Sequence, residues 1–271
     1  MAVIDADVER WLREDLGHHD VTNDVPGDTE SRLVAKEAGV AAGLDAAVAV
    51  FDYLGCDAEA VVSSGDRVDP GDVALRATGD AQSVLRAERV AVNVVGHASG
   101  VATKTRRAVD AAREVCGAVE IAATRKTTPG LRGVEKRAVV AGGGDTHRLD
   151  LSHMVMVKDN HVAEMGLESA IRHFRERKSF ATKLEVEVES PADAPQAADA
   201  GADIVLLDNM TPAETKRAVD LLDGAALAEA SGSITVEDVP AYAATGVDVI
   251  SMGSLTHSAP SLDYSFSTSV A

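Results

Sequence analysis

The sequence predicts an α/β protein with two parts, a small α+β region followed by a parallel β/α barrel or an open α/β sheet. After residue 118, short apolar runs that end in polar residues alternate with helical segments, a rhythm typical of parallel α/β folds. Before that point, helical and strand patterns are separated by glycine and proline turns. The 271 residues, 45% of them apolar, suffice for one large barrel or for a barrel with a small partner domain. Because aromatic residues make up only 3%, we expect a core built mainly of Val, Ala, Leu and Ile.

The first part is predicted to begin with an amphipathic helix over residues 4–16, where apolar side chains recur at helical spacing. A strand with glycine punctuation is predicted over 32–42. A second helix over 44–54 ends before Gly55, a residue type that often terminates helices. Residues 59–78 carry short β patterns that are interrupted by turn signals.

The stretch 81–117 has a helical pattern that contains Gly96 and Gly100, so we expect two helices with a junction at these glycines. The polar segment after Pro260 is expected to pack back on the first part. The second part is predicted to contain helices over 164–177, 191–200 and 212–223. Its strands are predicted from six apolar runs, at 119–123, 154–157, 184–188, 204–207, 225–228 and 247–252.

The chain is strongly acidic, with a net charge of -18 and a pI of about 4.7. A nucleic acid is not expected as a partner, because a polyanion would be repelled by this charge. The basic residues are eighteen arginines and only eight lysines. Acidic excess with scarce lysine predicts adaptation to concentrated salt, which screens repulsion between surface carboxylates. The alternative is an ordinary acidic cytosolic protein.

The sequence gives no indication of a membrane location. It contains no run of eighteen apolar residues, and its first residues lack the basic region of a signal peptide. The two cysteines, Cys56 and Cys116, form no CxxC motif. This usage suits a reducing compartment, so we expect a cytoplasmic protein.

Polar and charged residues follow or end nearly every predicted strand of the second part. In a β/α barrel the active site lies at the carboxyl ends of the strands, so these residues are expected to share one rim. A purely structural barrel has no need of such a rim. One group of the rim is cationic or can become so: Arg125, Lys126, His147, Arg148 and Lys158. This group suits a substrate with carboxylates, which arginine grips through two hydrogen bonds.

Two acidic residues form the other half of the rim. Glu187 and Asp208 are of the type that holds sugar hydroxyls or a hard cation such as Mg²⁺. Glu185, Glu187 and Glu189 alternate along one strand and therefore share a face. If that face lines a barrel, these charges need partners. For each arginine, the alternative interpretation is a surface salt bridge.

Two loops rich in glycine and serine predict a phosphate site. Ser231-Gly232-Ser233 and Ser251-Met252-Gly253-Ser254 each lead towards a possible helix start. Backbone N–H groups at such places bind phosphate, and barrels often place phosphate after their last two strands. A plain turn with a helix cap is the alternative for each loop.

Several other features of the sequence are not expected to take part in catalysis or metal binding. The run Gly142-Gly143-Gly144 lacks the spacing of nucleotide-binding loops and is interpreted as a flexible approach to His147 and Arg148. With no HExxH motif and no Cys/His cluster, a zinc site is not expected. The remaining histidines singled out are expected at surface or structural positions: His18, His19, His97, His153 and His173.

Several motifs follow one another in a fixed order, and together they resemble the quinolinate phosphoribosyltransferase family over roughly residues 10–258. The combination is specific, whereas each piece alone is weak. The motifs are TRKTTPGLR at 124–132, Glu135-Lys136, GGG at 142–144, His147-Arg148, VKDNH at 157–161, EVEV at 185–188, LDNM at 207–210, Ala230-Ser231-Gly232 and GSLTH at 253–257, with Glu88-Arg89, Asn93 and Ser99-Gly100 upstream.

The chain departs from the family pattern at two places. Ser233 stands where the family usually has a second glycine after Ser231-Gly232. If that position needs a positive φ, serine must adopt it with some strain. The early Gly-x-Gly-Asp of many relatives appears here as Gly17-His18-His19-Asp20.

The resemblance implies an N-terminal α/β sandwich domain plus an incomplete α/β barrel. We place the sandwich at 1–98, the barrel at 99–259, and a C-terminal tail that packs back on the first domain at 260–271. The implied reaction converts quinolinate and phosphoribosyl pyrophosphate into nicotinate mononucleotide, pyrophosphate and CO₂, with Mg²⁺ as the expected cofactor. The resemblance also implies a homodimer in which Arg89 of one subunit acts in the active site of the other.

The resemblance assigns roles to individual residues. Lys126, Lys158, Glu187 and Asp208 are the expected catalytic residues, and Glu187 with Asp208 is expected to hold the ribose hydroxyls or Mg²⁺. Lys126 would bridge the two substrates. The grip on quinolinate is assigned to Arg89, Arg125, His147, Arg148 and Lys158. The substrate-binding set is completed by Thr124 and Ser251, and by the expected ligands of the 5′-phosphate, Ser231, Gly232, Gly253 and His257.

Three other functions are weighed against this one. A paralogue could transfer phosphoribosyl to a related acceptor or serve molybdenum metabolism. A Schiff-base aldolase would need a lysine at a strand end, such as Lys158. A scaffold that binds anions without catalysis is the third. The pairing of Glu187 with Asp208 and the two phosphate loops favour phosphoribosyl transfer.

Overall fold

The computed structural model describes residues 3–270, so Met1, Ala2 and Ala271 of the predicted first domain and tail lie outside the described residues. The chain forms two compact units. The first unit comprises residues 1–106, 127–143 and 256–271, and the second comprises 107–126 and 144–255. The predicted boundaries at 98/99 and 259/260 stay a prediction.

The first unit is built on an antiparallel sheet. Its strands are β1 (Asp28–Ala35), β3 (Asp57–Ala60), β5 (Val73–Asp80) and β12 (Tyr264–Val270), in the order β12-β1-β5-β3. A separate pair is formed by β2 (Gly39–Val40) and β4 (Arg67–Val68). The helices are α1 (Asp5–Leu16), α2 (Leu44–Tyr53), most of α3 (Ala81–Arg113) and α4 (Arg132–Ala141).

Alternating burial explains how this sheet forms one layer against helix α2. Every second residue of β1, such as Ser31 and Leu33, is buried. Helix α2 contributes the fully buried Phe51, whose ring stacks on Phe266 of β12 with centroids 6.0 Å apart. The C-terminal segment therefore completes the sheet as an edge strand paired with β1.

The expectation of two helices between residues 81 and 117 is wrong, because α3 is one continuous helix of 33 residues. Its glycines are packing positions. A Cβ at Gly100 would lie 2.0 Å from the Pro260 carbonyl oxygen, and one at Gly96 would lie 2.9 Å from the Leu262 oxygen. Glycine is needed here so that a second stretch of backbone can approach the helix, and the helix itself does not break.

The second unit is an open parallel α/β barrel. Its sheet order is β6-β11-β10-β9-β8-β7, so each strand except β6 and β7 has two neighbours. The strands are β6 (Glu120–Ala122), β7 (Val155–Val157), β8 (Leu184–Val188), β9 (Ile204–Asp208), β10 (Leu227–Ser231) and β11 (Val249–Ser251). The helices are α5 (Asp159–Met165), α6 (Leu167–Arg175), α7 (Asp193–Ala200), α8 (Pro212–Leu222) and α9 (Val239–Ala243), and α10 (Ser254–His257) starts in this unit.

The six predicted strands occur in the predicted order, with local differences. The helix expected over 164–177 is two helices, since Gly166 between α5 and α6 has a φ of 74°. The fifth strand begins later than expected, because Asp223 and Gly224 both have positive φ and form a turn after α8. As a result Glu229, which seemed to follow this strand, lies inside it.

The core of the second unit consists of aliphatic side chains on the strands, such as Val186, Val205 and Ile250, each fully buried. Among the described helices of the whole chain, none combines the length and the apolar character needed to cross a membrane.

Candidate active site at the carboxyl ends of the parallel strands

The second unit brings most of the predicted site residues to one edge of its sheet. Lys158 follows β7, Glu187 lies near the end of β8, and Asp208 ends β9. Ser231 and Ser251 end β10 and β11. The strands are parallel, so all these ends point the same way. The segment Thr124-Arg125-Lys126 follows β6, and the Lys126 backbone N–H donates to the Thr124 hydroxyl at 3.1 Å.

Lys158 and Glu187 form an ion pair between neighbouring strands. The Lys158 Nζ lies 2.8 Å from Glu187 Oε2, with the lysine side chain 43% exposed. The Lys158 backbone N–H donates to His161 Nδ1 at 3.0 Å, which anchors the start of α5 without using the lysine side chain. The Lys158 side chain therefore contributes its ion pair with Glu187 to the rim and takes no part in the cap.

Asp208 adds a second carboxylate beside this pair. Burial and the nearby Glu187 charge raise the pKa of Asp208, while Lys158 and a hydrogen bond from Asn209 Nδ2 partly oppose that rise. The Asn209 Nδ2 to Asp208 Oδ2 distance is 2.6 Å. The repulsion between Glu187 and Asp208 favours any cation or hydroxyl donor placed between them.

His147 is held by two buried glutamates from different strands. Its Nε2 lies 3.1 Å from Glu229 Oε2 on β10 and 3.5 Å from Glu185 Oε1 on β8. Both glutamates are at most 1% exposed. Burial alone would lower the pKa of His147, but hydrogen bonding and charge from Glu185 and Glu229 outweigh it and raise the pKa to about 10. The two carboxylates therefore favour the protonated ring.

Arg148 is the second cation of this part of the site, and only 8% of it is exposed. Burial and the charge of Arg125 lower its pKa, while Glu185, Glu187 and Glu229 partly compensate. Its Nη2 donates to Met156 Sδ at 3.1 Å, and its buried Nε has no hydrogen-bond partner among the described residues. Two guanidinium groups in each other's field, one of them with an unpaired donor, are suited to binding an anion.

The loop after β10 has the tight geometry expected of a phosphate loop. Gly232 has a φ of 108°, and a Cβ there would lie 2.3 Å from Asn209 Oδ1. The Asn209 N–H donates to the Ser231 carbonyl at 2.9 Å, which ties the ends of β9 and β10 together. Ser233 has a φ of 53°, so serine adopts the left-handed conformation, with the strain that was expected if this position needs a positive φ.

The loop after β11 begins with a buried hydroxyl. Ser251 is 2% exposed, and its Oγ has no hydrogen-bond partner among the described residues. Gly253 follows in the same loop, at the start of α10. The geometry leaves a donor group at the strand end, consistent with the predicted phosphate role.

Two predicted site residues, Arg89 and His257, belong to the first unit. The Arg89 side chain on α3 is 60% exposed and lies 3.8 Å from the adjacent Glu88 carboxylate. His257 ends α10, is exposed, and its Nδ1 lies 2.6 Å from Ser258 Oγ. Their roles in the site stay predictions.

The motif segment that follows Lys126 is anchored within the first unit. Glu135 is fully buried and accepts hydrogen bonds from the Thr128 backbone N–H at 3.1 and 3.2 Å. Its Oε1 also lies 2.9 Å from His97 Nε2. The sequence indicates no role for Glu135 beyond its place in a motif, and its buried hydrogen bonds to Thr128 make it a positioning residue for the segment 127–130.

Sequence reasoning missed Glu185 and Glu229 as site residues. The available signal was a glutamate within an otherwise apolar strand, which is rare unless the charge is paired. Glu185 was identified only by its alternation with Glu187. Glu229 stands directly after the predicted run 225–228, so the sequence placed it beyond the strand and gave it no role, whereas it lies inside β10.

Comparison with known proteins agrees with this arrangement. The quinolinate phosphoribosyl transferase N-terminal domain matches residues 20–99, and the C-terminal domain matches 101–267. The chain is 44% identical over 268 residues to a probable nicotinate-nucleotide pyrophosphorylase (carboxylating) of Methanothermobacter thermautotrophicus, covering 95% of this chain and 96% of that protein. The human nicotinate-nucleotide pyrophosphorylase (carboxylating) is 42% identical, with 95% of this chain and 89% of the human protein covered.

A solved structure shows the same fold. The crystal structure of NadC from Streptococcus pyogenes superposes with a TM-score of 0.91 at 40% identity, covering 97% of this chain and 95% of that one. The fold of an N-terminal sheet domain with an open α/β barrel is therefore confirmed. The two domain matches, the sequence identity and the shared fold together show that this chain belongs to the quinolinate phosphoribosyltransferase family.

Proposed function

We propose that this protein is a nicotinate-nucleotide pyrophosphorylase (carboxylating) of NAD biosynthesis. It transfers phosphoribosyl from phosphoribosyl pyrophosphate to quinolinate and forms nicotinate mononucleotide, pyrophosphate and CO₂. The single observation that carries the proposal is the division of one strand-end site into a cationic group around His147 and Arg148 and an acidic pair, Glu187 and Asp208. The names of the relatives support the same activity.

The cationic group suits quinolinate because this substrate carries two carboxylates. Arg125, Arg148 and the charged His147 ring offer donors to carboxylate oxygens. Lys158 adds a partly exposed ammonium near the acidic pair. These contacts hold the pyridine nitrogen in position for attack on the ribose, which supplies catalysis by orientation.

The acidic pair suits the ribose ring. Positive charge develops at the anomeric carbon as the bond to pyrophosphate breaks, and the carboxylates of Glu187 and Asp208 stabilise it. Lys126 is exposed and follows Arg125 directly, so it can bridge the two substrates. Thr124 orients this segment through its hydrogen bond with the Lys126 backbone.

The 5′-phosphate is assigned to the two loops after β10 and β11. Ser231 and Gly232 supply the first loop, and Ser251 and Gly253 supply the second. His257, at the end of the short helix that follows, completes the predicted set. Backbone N–H groups in such loops bind phosphate without a dedicated charged side chain.

Decarboxylation follows from the chemistry of the transferred ring. Once its nitrogen is bonded to ribose, the ring is a cation and withdraws electrons from the adjacent carboxylate. The bond to that carboxylate breaks, CO₂ leaves, and the electron pair remains on the ring carbon until it takes up a proton. The protein contributes position and charge, and the reaction needs no covalent nucleophile.

Mg²⁺ is the expected cofactor, and Glu187 with Asp208 would hold it. The fit rests on their donor chemistry and on the raised pKa of Asp208, which comes first from burial and then from the Glu187 charge. When bound, the ion would neutralise charge on the departing pyrophosphate.

We further propose a homodimer in which Arg89 from one subunit binds quinolinate in the other. The proposal is supported by the exposed position of the Arg89 side chain, whose ion pair with Glu88 is long, at 3.8 Å. The protein would act in the cytoplasm, in keeping with its two free cysteines, Cys56 and Cys116.

The Schiff-base aldolase alternative is not favoured. Lys158, the lysine that this chemistry would use, is held in an ion pair with Glu187 at 2.8 Å, whereas Schiff-base formation needs an amine that can attack a carbonyl group. A paralogue with another acceptor would differ mainly in how many substrate carboxylates its site binds. Nicotinate has one carboxylate fewer than quinolinate, so its use as a competing acceptor distinguishes the two functions.

The test is an assay of the purified protein with quinolinate, phosphoribosyl pyrophosphate and Mg²⁺ at low and high salt. Nicotinate mononucleotide and CO₂ are followed together. We expect equal amounts of both products and none when either substrate is omitted. A folded protein that forms neither product at any salt concentration would refute the proposed activity.

A further inference from the structure

We infer that Glu185 and Glu229 are positioning residues that keep the His147 ring charged, so that its Nδ1–H donates a hydrogen bond to a carboxylate of quinolinate. The inference deepens the proposed function and rests on it for the identity of the anion. The protonation of His147 itself is a property of the free protein and can be tested separately.

The geometry directs both glutamates at the same ring nitrogen. Glu185 and Glu229 approach His147 Nε2 at 3.5 and 3.1 Å from strands that lie on either side of β9. The backbone of His147 has a φ of 50°, an uncommon conformation for a residue with a side chain. Backbone strain of this kind persists where the surroundings hold a side chain in a required place.

The other ring nitrogen, Nδ1, is left for a ligand. The described contacts of the ring all run through Nε2, and the His147 side chain is 12% exposed. A neutral imidazole carries only one N–H. If the proton were on Nε2 and directed at Glu229, Nδ1 would present a lone pair and repel a carboxylate. Only the doubly protonated ring can satisfy Glu229 and donate to an anion at the same time.

The surroundings of His147 favour the charged ring. Glu185 and Glu229 are buried carboxylates near one another, and such a pair needs a cation between its members. Burial and the Glu229 charge raise the pKa of Glu185 above its ordinary value, although His147 and Arg148 act to lower it. On the intervening strand β9 the residues in register are Ile204 and Leu206, which cannot titrate.

The remaining charged groups near His147 are on its own segment and at the rim. Asp145 accepts a hydrogen bond from the His147 backbone N–H, and Arg148 follows in sequence. Arg125 and Glu187 act on Arg148. The buried glutamates are the two groups that raise the pKa of His147 to about 10, against the effect of burial.

The same three side chains have the composition of a metal site, since His147, Glu185 and Glu229 each offer one ligand atom within 4.8 Å of the others. A metal ligand must be a neutral imidazole. The proton and the metal interpretations therefore predict opposite charge states of the ring. Elemental analysis of the purified protein separates them, and a stoichiometric metal that disappears in His147→Gln would overturn the inference.

The first experiment measures the pKa of His147 in the free protein by NMR titration of its ring, in the presence of a chelator. We expect a pKa above 8.5 for the intact protein and a fall of at least about one unit in Glu229→Gln and in Glu185→Gln. Glu120→Gln is the matched control, because Glu120 is an exposed glutamate on strand β6 of the same sheet. A pKa near 6.5 in the intact protein would overturn the inference, whatever the stability of the variants.

The second experiment measures kcat and KM for both substrates between about pH 6 and pH 9. In Glu229→Gln we expect KM for quinolinate to rise with pH as His147 loses its proton, by about twofold at pH 9 if the pKa has fallen by one unit from about 10 and by about tenfold if it has fallen by two. KM for phosphoribosyl pyrophosphate should stay within about twofold. The intact protein and Glu120→Gln should show no such rise. A purely structural role would instead lower kcat or the folded fraction without a new pH dependence, and that result would also overturn the inference.

The two experiments separate the inference from the proposed function. If the intact protein turns over no quinolinate, the proposed function fails, and the titration still decides whether the glutamates keep His147 charged. If quinolinate is turned over and KM in Glu229→Gln is independent of pH, the function stands and the role of Nδ1 is refuted.

Discussion

Replacing Lys158 with alanine tests the site with little disturbance of the fold. The side chain is 43% exposed, and its structural contact is the ion pair with Glu187 at 2.8 Å. A partly exposed pair contributes about 0.5–1 kcal/mol to stability. For a chain of this size that corresponds to a fall in Tm of roughly 1–4 °C. The cap of α5 uses the backbone N–H of Lys158 and remains in the variant.

Turnover should fall much more than stability. The variant loses a cation at the rim and leaves Glu187 beside Asp208, whose pKa Lys158 helps to lower. Anionic substrates then meet the carboxylates of Glu187 and Asp208 without the lysine charge beside them. Removing one preorganised electrostatic group from an active site lowers kcat by about 10²–10³-fold, and we expect a loss in that range.

The assay compares kcat, KM and Tm of Lys158→Ala with those of the intact protein and of Lys216→Ala. Lys216 is a matched control, because it forms an ion pair of the same length, 2.8 Å, with Asp220 on the surface of α8. The control should leave kcat unchanged and alter stability by less than about 0.5 kcal/mol. Kinetics close to those of the intact protein in Lys158→Ala would remove this residue from the site and refute the reasoning.

Further predictions concern packing, strain, charge and pH. Gly100→Ala should destabilise the protein by about 1–3 kcal/mol, because its Cβ would lie 2.0 Å from the Pro260 carbonyl, whereas Gly117→Ala, with open space around it, should be nearly neutral; equal denaturation midpoints would contradict this. Ser233→Gly should raise stability by about 0.5–1 kcal/mol by relieving a φ of 53°, and an unchanged or lower Tm would show that the loop tolerates serine without strain. With a net charge of -18, Tm should rise in multimolar KCl, and a Tm independent of salt would end the idea of salt adaptation. Because the pKa of His147 is raised from 6.5 to about 10, its contribution to stability should be complete below pH 6.5 and be lost as the pH rises through about 10; a flat Tm across that range in the intact protein would argue against a charged ring.

The sequence alone was sufficient for the class of fold and for most of the rim. Lys158 and Asp208 were predicted at strand ends because each stands at the end of a short apolar run. In a β/α barrel the active-site residues lie at the carboxyl ends of the strands. The predicted strand over 184–188 coincides with β8. The ordered motifs around Arg125, His147 and Lys158 identified the family, which the comparisons confirm.

Tertiary structure decided the features that depend on contacts between distant segments. Gly96 and Gly100 read as helix breakers in sequence, yet α3 continues through them because another stretch of backbone packs against the positions where side chains would be. Local propensity describes only the helix itself, so it cannot show what packs on its surface.

The charge state of His147 was likewise beyond the sequence. Its two partners, Glu185 and Glu229, lie on strands separated by β9, and only the pairing of β8, β9 and β10 in one sheet brings them to one ring nitrogen. The sequence determined which side chains were available to the site. The fold determined which of them are buried together, and burial sets the strength of their electrostatic interaction because water no longer screens it.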